Sequence, residues 1–228
     1  NREYNRSIAD LWEELETAYS QELLRFCSDE QVIACSSLLC KDTGLAQRLY
    51  DFRAGSLVRC RFFWLGAQGE VLAANAGTLP DYLVSPYVPL VSITSKIRNE
   101  PEQISVSVEF GADGGGSVFC IGRGICRDGV LEGMLIFETA EEDFCNAFRK
   151  MNGIEYIVAN SYGQALWYSS GLFLTNYGKI TPELAGREGL APVMDLWMYM
   201  QEGQALDGFL KIYTMTEIGQ YTRVLGAV

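Results

Sequence analysis

The side chains of this chain best suited to ligand recognition are charged residues placed within apolar, strand-like stretches. Arg59, Arg61 and Arg123 interrupt such stretches, and Glu109 and Glu138 stand at the ends of two others. A strand arginine that reaches into a cavity binds anions through its guanidinium group. An acid at the end of a core strand faces either a pocket or solvent. The alternative for each arginine is projection from the exposed face of a sheet. For all five residues the sequence leaves the two alternatives open.

No catalytic arrangement accompanies these residues. The chain contains no histidine, which excludes Ser-His and Cys-His nucleophiles and His-based zinc sites. The glycine-rich segment 111–116 lacks the Lys-Ser/Thr ending of a phosphate loop, so we interpret it as a connection between strands. The acids at 141–143 lie at the predicted start of a helix, where the helix dipole favours negative charge. We therefore expect no catalytic site, no metal site and no cofactor.

The seven cysteines form no C-x-x-C pair, so neither a zinc ribbon nor a thioredoxin motif fits. Most are expected to be reduced and buried, packing as small hydrophobic side chains. An odd number leaves at least one of them unpaired. If the domain lies outside the cell, a disulfide between Cys35 and Cys40, or between Cys120 and Cys126, is possible.

The composition indicates a folded protein of one large or two small domains. Of the 228 residues, 48% are hydrophobic, which is enough to build real cores. The net charge of −11 and the absence of a basic cluster argue against nucleic-acid binding. No apolar run approaches the ~20 residues that cross a bilayer, and no signal peptide is recognisable. We expect a domain that lies between two membrane spans of a longer protein.

Two segments with the same pattern indicate an internal repeat. Residues 62–75 and 155–168 each run from an aromatic or β-branched strand, through a short turn, into a second apolar strand. This is the pattern of a β-hairpin. Each hairpin is followed by a helical stretch and then by paired strands. The repeat predicts two related modules, each with an antiparallel sheet.

Helices are predicted before the first hairpin. Residues 4–26 carry apolar side chains in steps of three, four and seven, which predicts a long helix. A second helix is predicted at 43–53, ended by Gly55. The first helix has more apolar positions than one small module can cover. It is therefore expected to pair with a second copy of itself in the intact protein.

Further elements follow each hairpin. Ser85-Pro86 predicts a helix start, and Thr139 opens a capping box for a helix that leads into the second module. The dipeptide Asp128-Gly129 predicts a turn between two strands. The remaining expected elements are strands at 104–110, 117–126, 130–138, 207–215 and 221–228 and a helix over about 191–202.

The order of these elements resembles that of double Cache sensor domains, the extracellular ligand-binding regions of bacterial transmembrane receptors. Four stretches carry the resemblance, which covers essentially the whole chain: LAQRLYDFRAGS (45–56), FFWLGAQGEVLAAN (62–75), GVLEGMLIFETAEEDF (129–144) and EYIVANSYGQALWYSS (155–170). It implies an α+β fold made of a long N-terminal helical region and two PAS-like antiparallel sheet modules. The implied regions are 1–55 for the helices, 56–152 for the membrane-distal module and 153–228 for the membrane-proximal module.

The resemblance implies a non-enzymatic domain that senses a small molecule outside the cell membrane. Transmembrane helices would flank it, and the intact receptor would be a homodimer. The first helix and hairpin look most like those of sensor histidine kinases of Gram-positive bacteria, so the implied full-length protein is a histidine kinase of a two-component system. Chemoreceptors and diguanylate cyclases share the module. The alternative is a spacer and dimerisation module that binds no ligand.

The resemblance also implies a site between the sheet and the crossover helix of the distal module. In the family, an acid near the end of the last distal strand can recognise a ligand amine, and Glu138 matches it by position. The Arg-x-Trp-Tyr element of amino-acid-sensing members is absent, because residues 96–107 read KIRNEPEQISVS. Arg123 is the alternative partner of Glu138 and would make that acid structural. The expected lining consists of Phe63, Tyr82, Tyr87, Phe119, Arg123 and Glu138.

Overall fold

The computed structural model of the chain describes most of the first 144 residues and the strands of the remainder. The described residues are 2–84, 92–110, 117–140, 142–144, 155–160, 165–168, 194–195, 212–218 and 222–227. The chain divides into two compact units. One is Leu15–Ala147, and the other combines Asn1–Glu14 with Phe148–Val228.

Three helices precede the first sheet, of which the sequence predicted the first and the third as separate helices. They are α1 (Arg2–Cys27), α2 (Glu30–Ser37) and α3 (Thr43–Gly55). An aspartate is the N-cap residue of each of the two shorter helices. The Asp29 side chain accepts a hydrogen bond from the Gln31 amide, and the Asp42 side chain accepts one from the Leu45 amide, both at 2.9 Å. These bonds satisfy N–H groups that the first turn of a helix leaves unpaired.

Two antiparallel sheets with the same strand order follow. The first contains β1 (Arg61–Gly66), β2 (Val71–Ala74), β3 (Ser105–Phe110), β4 (Ser117–Arg127) and β5 (Val130–Ala140). The second contains β6 (Glu155–Asn160), β7 (Ala165–Tyr168), β8 (Met194–Asp195), β9 (Ile212–Ile218) and β10 (Thr222–Ala227). The orders are β2-β1-β5-β4-β3 and β7-β6-β10-β9-β8. The repeated hairpin therefore belongs to a repeated topology, and the predicted α+β class is confirmed.

Among the described residues between β2 and β3, two short helices are present. They are α4 (Asp81–Val84) and α5 (Ile93–Asn99). The helix expected to begin at Ser85-Pro86 lies in part outside the described residues. The described helix begins later, because Ser92 caps α5 by accepting a hydrogen bond from the Ser95 amide at 3.3 Å.

One face of the first sheet packs against α1, α2 and α3, and we call it the helix-side face. Aromatic rings dominate this contact. Tyr19 and Phe52 both lie 5.2 Å from the Phe137 ring, and Phe26 lies 5.2 Å from Trp64 in an edge-on arrangement. Such pairs add to the stabilisation that burial of the rings provides. The helix-side face thus carries an aromatic part of the core of this unit.

The apolar stripe of α1 is covered within the chain itself. Leu11, Trp12, Leu15, Tyr19 and other apolar residues of its described part are buried. Its exposed side carries mainly polar side chains, with Leu24 as an exception. The expectation of an uncovered stripe that requires a second copy is therefore wrong for residues 10–27.

The strand ends differ from the sequence-based expectation at one point. Thr139 does not cap a helix, because β5 continues to Ala140 and pairs Thr139 with Phe119. The Thr139 hydroxyl instead lies 3.5 Å from the hydroxyl of Tyr19.

The expected turn at 128–129 is present, with positive φ at both Asp128 and Gly129. Two successive positive φ values are the geometry of a two-residue type I′ hairpin turn.

In the second sheet, β8 also departs from the sequence pattern. Met194 and Asp195 pair with Tyr213 and Ile212 of β9, within the stretch 191–202 that apolar spacing predicted to be helical. The pairing of two strands across the sheet overrides the local helical pattern there. The rest of the predicted helix lies outside the described residues.

A disulfide joins Cys35 to Cys40 at the end of α2. It spans a helix terminus in which Leu39 adopts a positive φ of 52°, a conformation that costs energy for any residue with a Cβ. The Leu39 amide donates to the Ser36 carbonyl at 3.1 Å, and the Cys40 amide donates to the Cys35 carbonyl at 2.9 Å. The covalent link and these two hydrogen bonds hold the turn that a glycine would usually make.

The other disulfide considered, between Cys120 and Cys126, is not formed. Both residues are free and lie on the same extended strand, β4. Six residues of strand span about 20 Å, whereas a disulfide requires Cα atoms closer than about 7 Å. Cys27 and Cys60 are also free and buried. Cys145 lies outside the described residues.

Loss of the Ser36 hydroxyl should destabilise the packing of α2 on the sheet. The buried Trp64 indole N–H donates to Ser36 Oγ at 2.9 Å. Ser36→Ala leaves that N–H unpaired, so we expect the free energy of unfolding to fall by about 1–3 kcal/mol in urea titrations. Ser37→Ala, in the same turn, is the control and should change it by less than about 0.5 kcal/mol. Equal effects of the two substitutions would contradict the assignment.

Candidate functional site

The second face of the first sheet, which we call the crossover face, carries a row of polar side chains across four strands. Arg61 on β1 lies opposite Glu138 on β5, Glu138 lies opposite Cys120 on β4, and Cys120 lies opposite Ser107 on β3. Side chains directly opposite one another on adjacent strands share a face and make contact. These four residues form the polar row.

Apolar side chains surround the polar row. The buried cluster on this face is built from strand residues and from the two crossover helices, which supply Tyr82 (α4) and Ile93 and Ile97 (α5). Successive strand residues alternate between faces. The strand members of the cluster lie an even number of positions from a residue of the polar row, so they share its face. They are Phe63, Leu65, Val118, Met134 and Ile136.

Glu138 is the centre of the polar row. Its side chain is completely buried. Arg61 donates to Oε1 from both Nε, at 2.6 Å, and Nη2, and Tyr82 donates its hydroxyl to Oε2. The Cys120 thiol donates to the Tyr82 hydroxyl at 3.4 Å. A buried carboxylate is costly without partners, and here both oxygens have them.

A second buried acid, Glu109, attaches α5 to the sheet. Its Oε1 accepts hydrogen bonds from the Ser107 hydroxyl and from the Ile93 amide, both at 2.6 Å. One turn later, Lys96 Nζ donates to the Val106 carbonyl at 2.6 Å. Glu138 and Glu109 therefore each bind one crossover helix, α4 through Tyr82 and α5 through its first amide.

Glycines let α5 approach the sheet closely. A Cβ atom at Gly122 would lie 2.8 Å from Ile97 Cδ1, and one at Gly124 would lie 2.7 Å from the Pro101 carbonyl oxygen. Real Cβ atoms do not pack at such distances. The absence of a side chain at these two positions thus determines how near the helix and the loop after it lie to β4.

Burial determines the protonation states on this face. It raises the pKa of the Cys120 thiol and of the Tyr82 hydroxyl well above their usual values, so both groups keep their protons. Burial also raises the pKa of Glu109, against the opposing effects of its hydrogen bonds and of Lys96, and it lowers the pKa of Lys96. A protonated thiol is a poor nucleophile. The arrangement accordingly suits binding rather than covalent chemistry.

Three of the six residues expected to line a site lie together. Phe63, Tyr82 and Glu138 share the crossover face. Phe119 and Arg123 are an odd number of positions from Cys120 along β4, so strand alternation assigns them to the helix-side face. Tyr87 lies outside the described residues.

Arg123 does not pair with Glu138. Its Nε donates to the Glu102 carbonyl at 2.9 Å, at the exposed edge of the sheet. The partner of Glu138 is Arg61, which the register of β1 against β5 brings directly opposite. Arg61 was recognisable as a strand arginine two residues before Phe63, hence on the same face. Only the pairing of strands distant in sequence identifies its partner.

The chain matches no protein-family model and no curated protein. Solved structures do match. The ligand-binding domain of the Pseudomonas fluorescens chemoreceptor CtaA, in complex with L-serine, has a TM-score of 0.64 and 12% identity over 100% of this chain and 94% of that one.

Two further neighbours come from other classes of protein. A domain of a putative sensory box/GGDEF family protein from Vibrio parahaemolyticus has a TM-score of 0.62 at 12% identity, over 100% of this chain and 95% of that one. The extracellular domain of the putative histidine kinase vpHK1S-Z8 has a TM-score of 0.58 at 13% identity, over 100% of this chain and 90% of that one. At these identities the likeness establishes the fold alone, an α+β architecture shared with these receptor and kinase domains. None of the described helices combines the length and apolar character needed to cross a membrane.

The raised pKa of Glu109 predicts a pH-dependent stability. The folded state holds this proton at pH values at which the unfolded chain, with an ordinary carboxyl pKa of about 4.5, has lost it. Stability from this group therefore falls as the pH rises from about 4.5 through the folded pKa. Glu109→Gln has no such proton and keeps the acceptor oxygen. The difference in unfolding free energy between Glu109→Gln and wild type should therefore shift in favour of the variant as the pH rises from about 4.5 through the folded pKa of Glu109.

The measurement is a series of urea titrations at constant ionic strength between pH 4 and 8. Glu100→Gln is the matched control, because Glu100 is exposed one turn beyond Lys96. A constant difference between Glu109→Gln and wild type at every pH would contradict the assignment.

Proposed function

We propose that this chain is the extracellular ligand-sensing domain of a bacterial transmembrane signalling receptor. The observation that carries the proposal is the buried Glu138 of the polar row, which accepts hydrogen bonds from Arg61 on β1 and from Tyr82 on the crossover helix α4. Two supports accompany it: a fold like that of the serine-bound CtaA domain, and the lack of any catalytic arrangement in the sequence.

The buried charges favour a sensor over a spacer. A module that only separates other domains gains nothing from buried ionic groups, since a well-packed apolar cluster of the same volume is often as stable or more stable. In this chain two carboxylates on one face hold the two crossover helices. A ligand that contacts those helices would shift their position relative to the sheet.

The proposed site is the crossover face of the first sheet. Phe63, Tyr82 and Glu138 belong to it, together with Arg61. Tyr87 remains a proposed member on the basis of the sequence alone. Phe119 and Arg123 belong to the other face and are left out of the proposed site.

We further propose the arrangement of the full-length protein. Transmembrane helices would flank the chain in a double Cache receptor, with 56–152 distal to the membrane and 153–228 proximal. A histidine kinase output is proposed from the first helix and hairpin, whose pattern looks most like that of sensor kinases of Gram-positive bacteria. The solved neighbours include a putative histidine kinase, a chemoreceptor and a GGDEF family protein, so the fold is compatible with each output.

A metabolite screen by thermal shift tests ligand sensing. At a free ligand concentration 100 times the Kd, binding to the folded state should stabilise the purified chain by about 2.7 kcal/mol. Tyr82→Phe, which removes a buried hydroxyl of the proposed site, should reduce that shift. Arg123→Met serves as the control on the opposite face and should retain it. If a broad screen gives no ligand, the spacer function is favoured instead.

Association of two copies in the intact receptor is a separate prediction. If the intact receptor is a homodimer whose copies meet along the exposed polar side of α1, then cysteines introduced at the exposed positions Glu13, Thr17 and Gln21 should give disulfide-linked dimers in membranes. A cysteine at exposed Gln47 of α3 is the control and should not crosslink. Absence of dimer at all three α1 positions would eliminate this mode of association.

A further inference from the structure

We infer that two bridges between the start of β1 and the end of β5 form one coupled link, through which the position of α4 on the crossover face controls the position of α1 on the helix-side face. The bridges are the Arg61–Glu138 ion pair on the crossover face and the Tyr19 hydroxyl on the helix-side face. Both lie within the compact unit Leu15–Ala147. The inference rests on the proposed function for its biological role and deepens it, since it names the helix that a bound ligand would act on.

Both bridges join the same two strand ends. Glu138 and Thr139 are consecutive residues of β5, so their side chains lie on opposite faces of the sheet. On the crossover face, Glu138 accepts hydrogen bonds from Arg61, the first residue of β1. On the helix-side face, Thr139 donates its hydroxyl to the Tyr19 hydroxyl at 3.5 Å. Tyr19 in turn donates to the Val58 carbonyl at 3.0 Å, three residues before β1.

The backbone between the two bridges has little freedom to deform. β5 is the central strand of the sheet and is paired on both sides, with β1 and with β4. The Cys60 carbonyl, beside the start of β1, accepts hydrogen bonds from Arg53 Nε at 2.9 Å and from Asn75 Nδ2 at 3.2 Å. Closely packed interiors transmit strain. A movement of β1 against β5 at one bridge therefore reaches the other.

The crossover helix α4 determines how Arg61 binds Glu138. Arg61 donates to Oε1 from both Nε and Nη2, while Tyr82 of α4 donates its hydroxyl to Oε2. The Cys120 thiol donates to the Tyr82 hydroxyl at 3.4 Å and helps to hold it there. With only four residues, α4 is too short to be stable without such tertiary contacts. Loss of the Tyr82 hydrogen bond therefore releases the helix.

Release of Tyr82 gives the ion pair a second arrangement. Oε2 of Glu138 is then without a donor at a buried position, which is costly. The Arg61 guanidinium can turn so that Nε and Nη2 face both oxygens, the bidentate form that such pairs favour. The start of β1 then moves relative to β5, and the Tyr19 hydroxyl no longer fits between Thr139 and the Val58 carbonyl. α1 thus has one position when α4 is docked and another when α4 is released.

The Cys60 thiol reports the state of the helix-side bridge. Burial raises its pKa to about 12, and a hydrogen bond with Tyr19 opposes this effect. Cys27, the last residue of α1, is an internal reference, because burial raises the pKa of its thiol to about 12 as well. Global unfolding exposes both thiols, whereas loss of the Tyr19 bridge exposes Cys60 alone. The ratio of the two labelling rates therefore isolates the bridge.

Labelling of the native chain with iodoacetamide, followed by peptide mass spectrometry, measures this ratio. Tyr82→Phe removes the donor to Oε2, and we expect it to raise the Cys60 to Cys27 ratio about 5-fold or more, as for one lost hydrogen bond. Ser107→Ala is the matched control. It removes a buried hydroxyl of the same face that donates to Glu109 instead, so the ratio should stay at the wild-type value. If Tyr82→Phe does not fold, Cys120→Ala, which removes the donor to Tyr82, should raise the ratio in its place.

A double-mutant cycle tests the coupling of the two bridges. We expect Tyr19→Phe and Tyr82→Phe each to lower the urea midpoint of unfolding. The double variant should lower it by clearly less than the sum, because release of one bridge has already weakened the other. Ser36→Ala is the control, since Ser36 lies beside Gly133 at the other end of the β1–β5 pair. Its shift should add to that of Tyr82→Phe.

An unchanged labelling ratio in Tyr82→Phe, or additive midpoint shifts for Tyr19→Phe and Tyr82→Phe, would overturn the inference. Neither measurement needs a ligand, so both are independent of the metabolite screen. If the screen finds a ligand and the ratio is unchanged, ligand sensing stands and only the link is wrong. If the ratio rises and the shifts are not additive but the screen finds nothing, the link stands as a property of the fold and the proposed function fails.

Discussion

The first module depends on one buried carboxylate. Glu138 stands in the strand at the centre of the sheet and has no contact with water. Its desolvation has to be offset within the protein, and the two groups that do this come from different elements: Arg61 from β1 and Tyr82 from α4. The acid thereby fixes the position of a helix relative to two strands. Removing either partner would affect the other through the same carboxylate.

The two faces of the sheet divide the tasks of the module. The helix-side face is stabilised by aromatic packing, in which Tyr19, Phe26 and Phe52 of the helices contact rings of β1 and β5. The crossover face has buried acids and glycines instead, and its helices are short. A dense apolar face gives stability with little specificity of position, whereas hydrogen-bonded charges fix position at a cost in stability. The helix-side face therefore contributes mainly stability, and the crossover face fixes the positions of the two crossover helices.

Local patterns were sufficient to predict most elements, and long-range pairing limited the rest. The helices predicted at 4–26 and 43–53, the strands of the first sheet and the turn at Asp128-Gly129 follow from periodicity and turn chemistry, which act between neighbours in sequence, whereas α2 was not predicted as a separate helix. The site does not. Glu138, Phe63 and Tyr82 lie on one face of the sheet, whereas Phe119 and Arg123 lie on the other, because alternation along β4 has no reference point until its register against β5 is known. Arg61 was missed as the partner for the same reason, since 77 residues separate it from Glu138. The extent of β5 was also underestimated, because Thr139 satisfies a capping pattern that strand pairing overrides.

The burial of two free cysteines limits their reaction with the disulfide of the same chain. The Cys35–Cys40 pair forms a disulfide at an exposed helix end, while Cys27 and Cys60 are buried and their thiol pKa values are raised to about 12. Only thiolates attack disulfides, and at pH 7 a pKa of about 12 leaves a thiolate fraction on the order of 10⁻⁵. In the folded chain, the buried thiols of Cys27 and Cys60 therefore exchange very little with the Cys35–Cys40 disulfide. Burial in the native fold thus protects these two thiols from wrong pairing, and the interval before folding is complete is when they would be exposed to it.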